Sequence, residues 1–129
     1  TLLMLGDSLC TDDLAYQAWR NEVRQASWQA QFLAIPLAAR RAFAAKARDA
    51  SRSHTGSTSE SIMDVNAGAV AGALRGHGVT RLIHGHTHRP AVHTLDLDGR
   101  QAQRIVLGDW YQHGSVLRVD REGIELRGL

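Results

Sequence analysis

Three histidines at alternate positions, His84, His86 and His88, stand in the run Arg81 to Pro90, Arg-Leu-Ile-His-Gly-His-Thr-His-Arg-Pro. On an extended or tightly turned backbone, that spacing sends alternate side chains the same way. Imidazoles converging from a loop at a strand end suit a metal, because neutral imidazole nitrogen is the commonest protein ligand for transition metals. Gly85 lets the backbone turn close to such a centre, and Pro90 stops the chain from continuing as helix. The alternative is a polar surface loop that is merely rich in histidine, since no Cys or Glu nearby completes a ligand set.

A second candidate for chemistry lies near the start, where Gly6-Asp7-Ser8-Leu9 follows an apolar run. This block resembles the nucleophile motif of the Gly-Asp-Ser-Leu esterases, in which the Ser attacks an ester carbonyl. A nucleophilic Ser8 needs a His base, an Asp to orient it and oxyanion donors. The late pair Asp109 and His113 is one residue too far apart for that family's Asp-x-x-His, and no Gly-x-Asn block occurs.

The elements that would position these residues follow from the apolar pattern. Thr1 to Leu5 reads as a buried strand closed by Gly6. Either Asp12 or Asp13 can cap the helix after it, expected from Leu14 to about Leu33 on the spacing of Leu14, Ala18, Val23, Trp28 and Phe32. Pro36 starts a second helix to about Ala50, and residues 51–61, rich in Ser, Thr and Gly, read as a polar loop. An Ala-rich helix is expected from Ile62 to about His77, ended by Gly78, with Val65, Ala69, Val70, Ala73 and Leu74 on its core face. Val79, Leu82 and Ile83 predict the strand that leads into the histidines. Two hairpins complete the pattern: Val92 to Leu95 with Ile105 to Leu107 across Asp98-Gly99, then Val116 to Val119 with Ile124 to Leu126.

Gly85-His86-Thr87-His88 resembles the final Gly-His-x-His signature of the calcineurin-like metallophosphoesterases. Gly6-Asp7-Ser8-Leu9-Cys10-Thr11-Asp12-Asp13-Leu14-Ala15-Tyr16-Gln17 resembles the branch of that family that acts on UDP-2,3-diacylglucosamine in lipid A synthesis. Further matches fall at Ile62 to Asn66 and at Val106-Leu107-Gly108-Asp109-Trp110. The resemblance implies an α/β fold: a β-sandwich flanked by helices, with a helical lid inserted at about 14–60, of which residues 1–129 look like the C-terminal half. Three earlier metal motifs of the family (Asp-x-His, Gly-Asp-x-x-Asp and Gly-Asn-x-Asp) do not occur here.

In function the resemblance implies hydrolysis of the pyrophosphate bond of UDP-2,3-diacylglucosamine to UMP and 2,3-diacylglucosamine 1-phosphate (lipid X). It implies two manganese ions, with His86 and His88 as ligands and His84 not one. His86 would serve both as ligand and beside the substrate phosphate. Leu5 stands where the family has a ligand His, which leaves the second ion a donor short. Asp13, Tyr16, Ser51, Thr55 and Thr58 align with substrate-contacting positions, although Thr55 and Thr58 replace the family's Asn and Lys. Three readings therefore stand: the metal-dependent hydrolase, a serine esterase using Ser8, and an inactive fragment of the phosphoesterase.

Composition bounds these readings. The chain has room for one domain or part of a larger one, and its single cysteine, Cys10, excludes an internal disulfide and favours a reducing compartment. A formal charge of +2 is too small to argue for nucleic acid. No apolar run approaches the ~20 residues of a membrane span, and the opening run carries no charged leader of the signal-peptide kind; a chain cut within a sheet is expected. Residues 14–50 hold Arg20, Arg24, Arg40, Arg41, Lys46 and Arg48 against Glu22 and Asp49. Such a basic helical hairpin suits either an anionic membrane surface or simple packing on a core. With the resemblance it implies a cytoplasmic protein peripheral on the inner membrane.

Overall fold

A computed structural model describes residues 1–111 and 114–129. The elements in order are β1 (Leu2–Met4), a 3-10 turn (Asp7–Leu9), α1 (Leu14–Val23), α2 (Ala26–Ala34), α3 (Leu37–Ser57), α4 (Glu60–Met63), α5 (Ala67–Gly76), β2 (Arg81–His84), β3 (Ala91–Leu97), β4 (Arg100–Val106), β5 (Ser115–Val119) and β6 (Ile124–Gly128). They form two units, Thr1–Cys10 with Val65–Leu129, and Thr11–Asp64.

The first unit is a mixed α/β layer. Its sheet runs β1-β2-β4-β3, with β1, β2 and β4 parallel and β3 antiparallel to β4; β5 and β6 pair separately. The β3–β4 hairpin turns at Asp98-Gly99, both at positive φ (57° and 79°), as a two-residue turn matched to strand twist demands. Asn66 caps α5 by accepting from the Ala69 N–H at 3.1 Å, and Gly78 at φ 62° ends it. The apolar stripe of α5 buries Val70 and Leu74 against Leu9, Leu82, Leu97 and Ala102, with Val65, Ala69 and Ala73 packed alongside. Ile83 and Ile105, on the opposite face of the paired strands, are buried as well. The guanidinium of Arg75 grips both oxygens of Asp98 at 2.8 and 2.7 Å, joining the last turn of α5 to the hairpin.

Two expectations change here. Thr1 to Leu5 is not a buried strand: β1 is the edge of its sheet, paired with β2, so Leu3 is 71% exposed. The helix expected from Ile62 is two pieces, because Asp64 is extended and ends α4, and Asn66, extended in turn, caps α5.

The second unit is helical. Asp13 caps α1, accepting from the Tyr16 N–H at 3.0 Å. The single helix expected over 14–33 breaks at Gln25, which is extended. The hydrogen bonds lost at the break are offset by an aromatic cluster: Trp28 stacks on Phe32 at 4.9 Å between centroids, and Phe43 of α3 meets Phe32 edge-on at 5.2 Å. Pro36 precedes α3 as its cap rather than opening its first turn. The polar loop expected over 51–61 is helix as far as Ser57. Its Ser and Thr side chains do not unravel it, since Ser57 Oγ bonds back to the carbonyl of Ser53 at 2.9 Å. Among the described residues no helix is long and apolar enough to cross a membrane.

Candidate functional site

Two clusters of sequence-predicted residues form, one in each unit. In the first, parallel pairing sets Met4 beside His84, and the ladder runs one bond further, with the Gly85 N–H donating to the Leu5 carbonyl at 3.0 Å. Leu5 thus lies at the same strand-end edge as the histidine turn, the edge where open parallel sheets place ligands. Its side chain is 55% exposed.

Beyond Gly85 the chain turns sharply. The Thr87 N–H donates to the Gly85 carbonyl at 2.8 Å, and His86 between them sits at φ 66°. That is a γ-turn with a non-glycine residue at its centre. His88 follows at φ 54°. Left-handed backbone at a residue with a Cβ costs of order 1–3 kcal/mol, and such strain clusters at binding and catalytic sites. The strand-like alternation expected from the spacing therefore does not orient these rings; the turn does. His86 is half-buried and His88 exposed. His88 lines a cleft of about 340 Å³ with Pro90, Asp109, Ser115 and Arg127. Its Nδ1 is 3.8 Å from Asp109 Oδ2, an ion-pair separation too long for a hydrogen bond. The Thr87 hydroxyl is buried without a hydrogen-bond partner among the described residues.

His84 has a structural place. It is almost fully buried; its Nδ1 lies 2.9 Å from the Gly85 carbonyl and its Nε2 3.3 Å from an Arg104 guanidinium nitrogen. That network assigns the proton to Nδ1. Gly6, at φ 98°, packs on the ring so closely that a Cβ there would fall 2.7 Å from Nδ1.

Manganese requires several oxygen or imidazole donors. Among the described residues no three His, Cys, Asp or Glu side chains group to hold an ion. His86 and His88, the expected ligands, are therefore too few to hold such an ion among the described residues.

The second cluster belongs to the helical unit. Asp13 is buried, and its Oδ2 is 2.7 Å from His54 Nε2 on α3. His54 Nδ1 in turn lies 3.3 Å from the Thr58 hydroxyl. Tyr16, Ser51 and His54 line one cleft of about 300 Å³ with Ala15, Trp19, Ala47 and Ala50. Of the expected substrate-contacting residues, Asp13 and Thr58 hydrogen-bond to His54, and Tyr16 and Ser51 share its cleft; Ser51 and Thr55 are both exposed on α3. His54 itself was not anticipated. The signal was present: Ser51, His54 and Thr58 are spaced i, i+3, i+7, which is one helix face, but only once 51–57 is read as helix.

No protein-family model matches the chain. Across its entire length, however, it is 54% identical to a UDP-2,3-diacylglucosamine hydrolase of Xanthomonas axonopodis pv. citri, covering 55% of that protein. Over 98% of its length it is 53% identical to the enzyme of the same name from Xanthomonas oryzae pv. oryzae, and over 99% it is 52% identical to that of Stenotrophomonas maltophilia; each time it covers 54% of the relative. The chain is a relative of the UDP-2,3-diacylglucosamine hydrolases. It spans about half the length of the curated relatives it matches.

The esterase alternative gains nothing from the geometry. Ser8 lies in the 3-10 turn with its backbone N–H on Asp7 Oδ1 at 3.0 Å, and among the described residues no histidine is hydrogen-bonded to its hydroxyl. His113, the partner weighed with Asp109, lies outside the described residues.

Proposed function

We propose that these residues are the C-terminal part of a UDP-2,3-diacylglucosamine hydrolase, which cleaves the substrate's pyrophosphate to UMP and 2,3-diacylglucosamine 1-phosphate (lipid X). The observation that carries this reading is identity of 52–54% over the whole chain to enzymes of that name. The two strained histidines at the strand-end edge support it from the side of geometry. On this reading the sheet unit is half of a metallophosphoesterase β-sandwich. The helical insertion at about 14–60 is the lid, with Asp13, Tyr16, Ser51, Thr55 and Thr58 toward substrate.

His86 and His88 would be this chain's imidazoles in a two-manganese centre whose remaining donors come from the other half of a protein of the relatives' length. Two divalent ions supply an activated water and a hold on a phosphoryl oxygen. His86, at the centre of the γ-turn, would also lie beside the substrate phosphate. The basic stretch over 14–50 suits an anionic inner-membrane surface, reached from the cytoplasm; a liposome-flotation comparison with and without that stretch tests it.

The direct test is UMP release from UDP-2,3-diacylglucosamine by the full-length protein, with and without a chelator. Loss of UMP release on chelation supports the hydrolase; fatty-acid release from the acyl chains that survives chelation and is abolished by Ser8→Ala supports the esterase instead. Leu5→His should increase manganese stoichiometry and turnover, because it returns an imidazole to the edge beside Gly85. Unchanged stoichiometry and rate would show that Leu5 is not at a ligand position. The 129 residues alone should bind manganese weakly and release no UMP.

A further inference from the structure

Among the described residues of 11–64, Asp13 is the one buried side chain, and it is a carboxylate. Taking a carboxylate out of water is costly unless protein donors replace the lost hydration. Here Oδ1 accepts from the Tyr16 N–H at 3.0 Å and Oδ2 accepts from His54 Nε2 at 2.7 Å. The second donor reaches across 41 residues of sequence, from α3 to the cap of α1. Nε2 carries a proton to donate; in the Nε2–H tautomer Nδ1 is an acceptor, to which the Thr58 hydroxyl at 3.3 Å can donate. Thr58, His54 and Asp13 thus form one directed relay that fixes both the imidazole tautomer and the orientation of the carboxylate. Ser51, one helical turn before His54, lines the same cleft as Tyr16.

We infer that His54 is a positioning residue for substrate recognition: it holds the Asp13 carboxylate, and the turn of α3 that carries Ser51, in the arrangement that meets substrate. This rests on the proposed reading, in which Asp13, Tyr16 and Ser51 contact substrate. Without the Nε2–H donor the carboxylate loses the hydrogen bond that reaches from the cap of α1 to α3. The loss falls on binding, since His54 touches no reacting atom.

The test is steady-state UMP release by the full-length protein, with manganese, across a range of UDP-2,3-diacylglucosamine concentrations. Removing a hydrogen bond to a charged group should raise KM roughly tenfold in His54→Ala, with kcat held within about twofold. His54→Gln, whose amide nitrogen can take the place of Nε2, should recover most of that loss. In an Asp13→Ala background, His54→Ala should add less than about a twofold change, as expected if it acts through Asp13. An unchanged KM in His54→Ala overturns the inference, as do failure of Gln to rescue and effects that simply multiply with Asp13→Ala. If His54→Ala loses its helical circular dichroism, His54→Phe fills the same space without the donor and must show the raised KM. No UMP release by the unaltered protein overturns the proposed function and this inference together, whereas release with unaltered KM in the variants overturns the inference alone.

Discussion

The two units stabilise themselves by opposite means. Residues 1–10 with 65–129 bury Leu74, Leu82 and Leu97 completely between a helix and a hydrogen-bonded sheet. Among the described residues of 11–64 no hydrophobic side chain is buried; a partly covered trio of aromatic rings and one buried carboxylate hold the helices. A sheet needs long-range pairing before it gains anything, and once formed it removes many apolar groups from water together. Helices satisfy their backbone locally, yet short ones draw most of their stability from packing. The sheet unit is therefore expected to have the higher local stability of the two.

The largest effects should come from the sheet core. Leu82→Ala ought to cost about 2–5 kcal/mol in urea unfolding, against about 1 kcal/mol for Phe32→Ala in the half-covered aromatic trio. Equal losses would break the contrast. Gly6→Ala should also be severe, because its Cβ would be driven against His84 at a backbone angle that suits glycine; near-wild-type stability would show that the strand-end edge is more yielding than its geometry implies. Hydrogen exchange sharpens the same comparison, with amides of β2 and β4 outlasting those of α2 and α3.

A smaller effect is expected at the cap of α5. Asn66→Ala should cost roughly 1 kcal/mol, measurable as a lower urea midpoint with an unchanged slope. The smallest concerns Arg75 and Asp98, both on the surface. The Arg75 hydrogen bonds hold Asp98 below the usual carboxylate range, and hold the guanidinium above its own ordinary value. A carboxylate with a depressed folded pKa contributes stability that is present above its unfolded pKa and is lost as pH falls through the folded one. Arg75→Ala should therefore move the Asp98 titration upward in an NMR pH series and remove a slight acid-side dependence of stability. An unmoved titration would mean that the pair is not formed in solution.

Local rules were enough for much of the fold. The Asp98-Gly99 hairpin, the Val70–Leu74 face of α5, its stop at Gly78 and the strand into the histidines are all read from periodicity and turn chemistry, since each depends on neighbours a few residues away. The candidate site was legible as residue types, because Gly85-His86-Thr87-His88 and the block from Gly6 to Gln17 are contiguous words.

What lay beyond the sequence alone was everything settled by distant partners. Thr1 to Leu5 is as apolar as a central strand, yet within these residues it pairs on one side alone and Leu3 is exposed. Residues 51–57 look like a loop until Ser57 bonds back along α3, and that misreading hid His54. The pairing of His54 with Asp13 joins helices far apart in sequence, and no local pattern encodes it. At the histidine turn the residue types specified imidazoles, whereas their directions came from positive φ at His86 and His88, beside the ladder bond that ties Gly85 to Leu5. Composition and spacing determine which groups a chain can bring to a site; the sheet register and helix pairing decide which of them meet, because only long-range contacts set their separation and their exposure to water.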